Sequence, residues 1–182
     1  MENGFYSEDI ISGCVKGDRK AQERLYKEYY SSMVKLCMRY TKNEEDAVEV
    51  LNNGFLKVFK NIQRYEPGKA SLYTWIRTIV INTCLDFIKS KQNIEPYKEL
   101  DETVHIPSDV ISKMKADELL RLIRRLPPST QAVFNLYVIE GYGHKEIGTL
   151  LNISEGTSKW HLSEARQRLQ KMIQLQEISS HE

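Results

Sequence analysis

The sequence lacks a long hydrophobic run, and no stretch approaches the roughly 18 apolar residues that a membrane-spanning helix needs. The first residues, Met1 to Glu8, are polar and acidic, whereas a signal peptide begins with basic residues and continues with apolar ones. We therefore expect a cytoplasmic protein with no insertion into a membrane.

Cysteine is scarce as well. Cys14, Cys37 and Cys84 are widely spaced and form no C-x-x-C pair, which fits neither a disulfide framework nor a zinc site. We expect all three to be thiols in the core or at its edge, because free cysteine behaves as a small hydrophobic residue. The sequence also shows no metal-ligand cluster, phosphate-binding loop or nucleophile–base spacing. We therefore expect no enzymatic activity, no metal and no cofactor.

Strand signals are absent too, since neither alternating apolar residues nor a hairpin dipeptide occurs along the chain. Helical spacing is found nearly everywhere. With 41% hydrophobic and 28% charged residues, the composition is typical of a globular protein. A length of 182 residues allows one large domain or two small ones.

Helical spacing of apolar residues in the first half of the chain predicts four helices, over residues 8–15, 19–40, 43–64 and 71–90. Asn43 is the expected N-cap of the third, and Pro67-Gly68 separates the third from the fourth. The apolar positions expected to form the core of this half are Leu25, Tyr29, Met33, Leu36, Cys37, Tyr40, Leu72, Ile76, Ile79, Val80, Phe87 and Ile88.

The charge pattern divides the chain. Basic residues outnumber acidic ones over 64–91, acidic residues dominate 92–112, and basic residues dominate again over 155–172. The acidic stretch contains Pro96 and Pro107 and no helical period, which is typical of a linker. We therefore predict an all-α protein with two small helical domains, residues 1–91 and 113–182, joined by an acidic linker over 92–112.

The second domain predicts a helix over 113–126 that stops at Pro127-Pro128. Ser129 is the expected cap of the next helix, which is nearly all apolar and should be the buried centre of the domain. Its apolar residues are Ala132, Val133, Phe134, Leu136, Tyr137, Val138 and Ile139.

A helix-turn-helix is the strongest motif of this half. A short helix over 144–151 ends at Asn152, which tolerates a left-handed conformation, and Ser154 caps a longer helix. Ser158, Leu162, Ala165, Leu169 and Met172 should face the core. The opposite side carries Gly156, Trp160, Ser163, Glu164, Gln167 and Lys171, with Lys159 and Arg166 beside it. Polar and cationic groups there suit base edges and phosphates, although an amphipathic helix pair without DNA binding can show the same pattern.

The motifs of both halves resemble one known family. The C-terminal ones are Leu126-Pro127-Pro128 with the residues to Phe134, Glu140 to Ile147, Ile153 to Lys159, and Ala165 to Leu169. The N-terminal ones are Glu45-Asp46-Ala47, Phe55 to Phe59, Ser71 to Arg77, and Asn82 with Asp86. Together they resemble the sigma-70 superfamily, specifically the extracytoplasmic-function (ECF) sigma factors, which keep only the domains called region 2 and region 4.

The resemblance implies that the third helix docks on the clamp coiled coil of RNA polymerase. The residues implied in this contact are Asp46, Leu51, Asn52, Phe55, Lys57, Val58 and Phe59. The apolar stripe of this helix could equally belong to the core of its own domain. Asn52-Asn53 stand where the family usually has a Gln-Glu pair.

The resemblance further implies that the loop 65–71 and the fourth helix hold the melted −10 element. The implied DNA contacts are Lys69, Ser71, Tyr73, Arg77 and Asn82. Aromatic rings with cations suit unpaired bases and their backbone. The phase of Trp75 places it in the core, and Asn82 is either a base reader or a local cap.

Region 4 of the family binds the duplex −35 element. The residues expected to contact this DNA are His144, Lys145, Ser154, Glu155, Gly156, Thr157, Lys159, Trp160, His161, Ser163 and Arg166, with His144 and Lys145 as phosphate contacts. Trp160 could touch DNA or cover a neighbouring helix. Lys159-Trp160-His161 and Glu164 depart from the family's basic pattern, which suggests a promoter unlike the commonest one. The acidic linker resembles the segment that passes through the RNA path of polymerase, or is simply solvated.

The expected function is that of an alternative sigma factor, which binds core RNA polymerase and promoter DNA. An anti-sigma factor is a further partner that the resemblance implies. A stand-alone helix-turn-helix regulator is the alternative, although such proteins usually dimerise and no long dimer helix is evident.

Overall fold

The computed structural model of the protein describes residues 5–91 and 116–179, and these residues are helical with no strand among them. The expected all-α class is confirmed. The chain divides into two compact units, Met1–Cys84 and Leu85–Glu182. The expected linker, residues 92–112, lies outside the described residues, so the domain boundaries drawn from the sequence stay a prediction.

The first unit contains helices α1 (Phe5–Val15), α2 (Arg19–Cys37) and α3 (Glu44–Asn61), followed by a 3₁₀ turn (Ile62–Arg64) and most of α4 (Leu72–Lys91), whose residues from Leu85 onward belong to the second unit. Short polar side chains cap three of these helices, as their sequences favour. Asp18 accepts from the backbone N–H of Lys20 at 2.9 Å, and the expected cap Asn43 accepts from Asp46 at 2.7 Å. Ser71 accepts from the N–H of Thr74 at 3.1 Å.

The core of this unit follows the apolar stripes of its helices. Most of the expected positions are buried, among them Leu25, Met33, Leu36, Tyr40, Ile76 and Val80. Tyr29, Ile79 and Phe87 are only partly buried, which differs from the expectation. α3 and α4 approach closely where Gly54 faces Val80, because a Cβ atom at Gly54 would lie 3.2 Å from Cγ2 of Val80.

All three cysteines are buried, as the sequence predicts. The sulfur atoms of Cys37 and Cys84 lie 3.9 Å apart, between α2 and α4. Burial raises the pKa of both the Cys84 and the Cys14 thiols. These thiols therefore stay protonated at neutral pH and act as packing groups.

The second unit contains α5 (Ala116–Ile123), α6 (Pro128–Phe134) with a π-helical continuation (Asn135–Ile139), α7 (His144–Leu151) and α8 (Glu155–Ser179). Two details of α6 differ from the expectation. Its cap position is Pro127 rather than Ser129, because Pro128 occupies the first helical position, where a proline ring is already suited to the helix.

The second difference concerns the end of the apolar run. Ala132, Val133, Phe134 and Leu136 are buried as expected, but Val138 and Ile139 are 50% and 38% exposed. The backbone N–H of Glu140 donates to the carbonyl of Asn135, five residues back, at 3.0 Å. This wider turn changes the helical phase and rotates the last two apolar residues outward.

The turn between α7 and α8 has the predicted conformation. Asn152 is left-handed with φ of 57°, and the Ser154 hydroxyl accepts from the N–H of Thr157 at 2.9 Å. The N–H of Ile153 donates to the carbonyl of Gly148 at 3.0 Å. A Cβ atom on Gly148 would lie only 2.8 Å from the Ile153 carbonyl oxygen, so the turn requires glycine there.

We expect Gly148→Ala to destabilise the second unit by about 1–3 kcal/mol, because the new methyl group meets backbone that cannot move without opening the turn. Gly156→Ala is the matched control. A Cβ there is 3.6 Å from the Ser154 hydroxyl, an ordinary contact, and alanine favours the helix. Chemical denaturation of both variants measures the difference, and equal stabilities would contradict the close approach.

Candidate nucleic-acid interface

The first turns of α8 form the outer face of the helix-turn-helix. Ser154, Glu155, Gly156 and Lys159 are exposed, and Thr157, Trp160, Ser163 and Arg166 are half-buried. On the inward side, Ser158, Leu162, Ala165 and Leu169 are buried, as expected. Met172 is only half-buried, and Ile173 is buried instead. The N-terminal turns of the second helix are the part that enters the major groove in such motifs.

Glu155 and Lys159 form an ion pair on this face, with Oε1 and Nζ 2.6 Å apart. The hydrogen bond from Lys159 holds the pKa of Glu155 below its ordinary value, and the charge of the lysine adds to the effect. The carboxylate is therefore ionised at neutral pH and lies at the positive end of the helix dipole. It also neutralises a cation that would otherwise be available to a phosphate group.

His144 is placed differently from the expectation of a phosphate contact. Its Nδ1 lies 3.0 Å from the Ser158 hydroxyl, and its ring stacks on Tyr137 with centroids 4.5 Å apart. Burial lowers the pKa of His144, and the charge of Lys159 lowers it further. A ring that is neutral at pH 7 supplies no cation for a phosphate. The neighbouring Lys145 is exposed and keeps that role as a prediction.

His161 faces the interior of the unit rather than the outer face. Its Nδ1 lies 3.0 Å from the hydroxyl of the buried Thr130 in α6, and burial lowers its pKa. The edge of the Trp160 ring contacts it at a centroid distance of 4.8 Å. In this structure Nδ1 of His161 is therefore directed towards α6, and its expected contact with DNA stays a prediction. Trp160 is half-buried, so both interpretations of its role stay open.

Glu164 was also expected on the outer face, and this expectation is wrong. The residue is only 8% exposed, and its carboxylate accepts a hydrogen bond from Arg168 one turn later. Glu164 lies three residues after His161 and beside the buried Ala165, so it shares their side of the helix. Its charge is satisfied within the unit and does not weaken the surface available to DNA.

In the first unit, the loop before α4 and the first three turns of this helix carry the residues expected to contact unpaired DNA. Lys69, Ser71, Tyr73 and Asn82 are exposed, and Arg77 is half-buried. Tyr73 is 43% exposed.

Three further aromatic residues lie at or beside this surface. Tyr65 donates from its hydroxyl to the carbonyl of Ala70 at 3.0 Å and packs on Trp75, which is only partly buried. Tyr29 of α2 lies beside Tyr73, with centroids 6.3 Å apart. The sequence assigned Tyr29 to the core, and only the pairing of α2 with α4 reveals its place at this surface.

Only some of the α3 residues expected to contact polymerase are accessible to a partner. Leu51, Phe55 and Val58 are at most 2% exposed, so they belong to the core and are not available to a partner. Phe59 is half-buried and packs on Phe55 at a centroid distance of 5.8 Å. Asp46 is half-buried, and its carboxylate accepts from the Asn43 amide at 3.1 Å in the cap of α3.

The exposed side of α3 carries the polar residues Asn52, Asn53, Lys57 and Lys60. Leu56, among them, is 67% exposed, more than any other large hydrophobic side chain of the described residues. Leu56 is not among the residues that the family resemblance implies in the polymerase contact. Its helical phase, which falls outside the stripe of Leu51, Phe55 and Val58, would have identified it.

Within the residues whose placement is described, no cluster of three or more histidine, cysteine or acidic residues could hold a metal ion. The described helices include none that is both long and apolar enough to cross a membrane.

Comparisons with known proteins assign both units. The family model described as Sigma-70 region 2 matches residues 25–94, and the one described as Sigma-70, region 4 matches residues 116–169. Similar curated proteins are named ECF RNA polymerase sigma factors. SigM of Mycobacterium tuberculosis is 25% identical over 91% of this chain and 83% of its own length. The sigma-E factor of Haemophilus influenzae is 25% identical over 96% of this chain and 98% of its own length.

A solved structure supports the fold. The sigma factor RpoE, in its complex with the anti-sigma factor NepR from Bartonella quintana, matches with a TM-score of 0.51 and 12% identity. The match covers 84% of this chain and 96% of that one. The two family models match in the order region 2, then region 4, and relatives named ECF sigma factors match over most of their length. The chain therefore belongs to the sigma-70 family, in its ECF group.

The two histidines predict a pH dependence. In the unfolded chain they titrate at about pH 6.5, whereas in the folded unit their pKa values are lowered. Since the unfolded state then binds more protons, their contribution to stability is fully present above this pH and is lost as the pH falls below it towards the folded pKa values.

We expect the unfolding temperature of the second unit to fall between about pH 6.5 and pH 5. Trp160 fluorescence in a Trp75→Phe background reports on this unit alone. The double variant His144→Asn/His161→Asn keeps a polar group near each hydroxyl but does not titrate, and it should show a flatter profile. Identical profiles for both proteins would show that other groups cause the pH dependence.

Proposed function

We propose that this protein is an alternative sigma factor that binds core RNA polymerase and directs transcription initiation at specific promoters. It acts in the cytoplasm together with the polymerase and has no catalytic activity of its own. The observation that carries the proposal is the presence of both sigma-70 regions in one chain. A stand-alone helix-turn-helix regulator would need only the second of them.

The exposed side of α3 is the proposed polymerase-binding face, with Asn52, Leu56 and Lys57 at its centre. An aliphatic side chain with polar neighbours has the form of an interface anchor with a polar rim. In this proposal Leu56 makes the apolar contact that the family resemblance implies for Leu51, Phe55 and Val58. Phe59 and Asp46, both half-buried, lie towards the two ends of the helix.

The start of α4 is the proposed binding surface for the melted −10 element. Tyr73 offers an exposed ring for stacking on an unpaired base, and stacking of this kind tolerates different bases. Lys69, which pairs with Glu66 at 2.9 Å, and Arg77 supply positive charge for the backbone. Ser71 and Asn82 supply hydrogen-bonding groups on the exposed side.

The first turns of α8 are proposed to read the −35 element in the major groove. Gly156 allows close approach, Ser154 and Thr157 form the cap, and Lys159 with Glu155 lies at the edge. Ser163 and Arg166, further along, and Lys145 of α7 are proposed contacts to the flanking backbone.

We also propose an anti-sigma factor as a partner. RpoE of Bartonella quintana, which shares the fold, is bound to the anti-sigma factor NepR. A protein that competes with core polymerase for this chain is the expected form of regulation. Purification of the tagged chain from its native cell, with identification of the bound proteins, tests this partner.

The test of the proposed function is binding to core polymerase together with transcription from a promoter library. We expect the chain to bind core polymerase and to start transcription at a defined subset of promoters. We expect Leu56→Ser to weaken binding by about tenfold or more, as for a central interface residue, while its effect on stability stays within about 0.5 kcal/mol because the side chain is exposed.

Val15→Ser is the control for this variant. Val15 is 50% exposed at the end of α1, so the substitution removes a similar apolar surface outside the proposed face. Its affinity for core polymerase should equal that of the unaltered protein. Binding to a palindromic duplex with no affinity for core polymerase would contradict the proposal and favour a stand-alone regulator.

The Glu155–Lys159 pair predicts a gain of affinity. Glu155→Gln removes the charge that neutralises Lys159, so the holoenzyme should bind its −35 element more tightly and with a steeper dependence on salt. One additional phosphate contact changes the slope of log K against log salt by about −0.9. Glu23→Gln is the control, because Glu23 and Lys27 form the same type of pair on α2 at 2.5 Å. Weaker binding with an unchanged slope would identify Glu155 as a base reader instead.

A further inference from the structure

A hydrogen bond joins α2 to the proposed polymerase-binding face. The hydroxyl of Tyr26 donates to Oδ1 of Asn52 at 2.8 Å, between residues that are 26 positions apart in the sequence. Asn52 itself is exposed on α3. An exposed asparagine usually rotates between several conformations, so a fixed partner from another helix is a specific constraint on this side chain.

The Tyr26 ring cannot easily move away from this position. Its edge packs on Phe55 with centroids 4.9 Å apart, and on the other side it contacts Tyr30 at 5.5 Å. Phe55 is 2% exposed and belongs to the core of the first unit. Partial burial raises the pKa of Tyr26, so the hydroxyl keeps its proton at neutral pH and remains a donor.

The direction of this bond decides what Asn52 offers to a partner. An asparagine amide has an oxygen that accepts and a nitrogen that donates two hydrogen bonds, and in this structure the oxygen is the end that faces the Tyr26 hydroxyl. Since Tyr26 holds Oδ1 towards α2, the Nδ2 group points away from Tyr26. Leu56 lies one helical turn after Asn52, so the amide donors and the exposed apolar side chain are neighbours on α3.

We propose that Tyr26 is a positioning residue that orients the Asn52 amide, so that Asn52 meets polymerase with its N–H donors. The surface of polymerase that receives Leu56 then carries a hydrogen-bond acceptor beside the apolar area, either a carboxylate or a carbonyl group. This inference rests on the proposed function, because it needs the exposed side of α3 to bind polymerase.

Three variants of the full chain, measured for affinity to core polymerase, test this inference. Tyr26→Phe removes the hydroxyl and keeps the ring on Phe55, and the loss of one orienting hydrogen bond should weaken binding by about two- to tenfold. Asn52→Asp still accepts from Tyr26 but replaces the outward donors with an oxygen, so the loss should be about tenfold or more. Tyr30→Phe is the control, since it keeps the ring contact with Tyr26, and its affinity should not change.

A double-variant cycle separates positioning from general destabilisation. Once Asn52 is alanine, Tyr26→Phe should have no further effect on affinity, because there is no amide left to orient. The salt dependence identifies the acceptor. A loss in Asn52→Asp that shrinks at high salt indicates a carboxylate, and a loss that does not change indicates a carbonyl group.

Two results would overturn the inference. One is an Asn52→Asp variant that binds as tightly as the unaltered protein or more tightly, since polymerase would then supply a donor. The other is a Tyr26→Phe variant with unchanged affinity. Failure of the proposed function looks different, because the unaltered protein would then not bind core polymerase at all.

Discussion

The burial of one side of α3 is the constraint on which the first unit depends. Leu51, Phe55 and Val58 are buried in the core, and Gly54 lets α4 approach to the distance of a direct contact with Val80. Burial of each large side chain stabilises the fold by about 1.5–3 kcal/mol. Because these residues hold the unit together, only the opposite side of α3 is left to meet another protein, and Leu56 is the apolar residue on that side.

The second unit depends on polar contacts inside its core as well as on apolar packing. His144 of α7 meets the buried Ser158 of α8, and His161 of α8 meets the buried Thr130 of α6. Each pair joins two different helices, and each satisfies a hydroxyl group that would be costly to bury alone. Hydrogen bonds to α6 and α7 therefore fix the orientation of α8 and of its outer face. In this way a small domain holds a recognition helix in one orientation.

Much of this could be predicted from the sequence, because local rules govern it. The caps at Asn43 and Ser154, the left-handed Asn152 and the inward stripe from Ser158 to Leu169 follow from side-chain chemistry and helical phase. The errors arose where tertiary structure decides. The π-helical turn after Phe134 changes the phase of Val138 and Ile139, and no pattern in the sequence signals it. The helical phase placed Glu164 outside and the family resemblance placed His161 there, but Arg168 and Thr130 satisfy these side chains within the unit. Tyr29 and Tyr26 acquire their roles only through neighbours on α4 and α3.

The three buried cysteines have a practical consequence for experiments on this protein. Labelling reagents react with exposed thiolates, and the folded chain offers none, since Cys14, Cys37 and Cys84 are enclosed and burial raises the pKa values of Cys14 and Cys84. A single cysteine introduced on the surface therefore carries a fluorophore or spin label selectively, with the natural cysteines left in place. Distances between the two units, free and bound to polymerase, then become measurable in a chain whose core is unaltered.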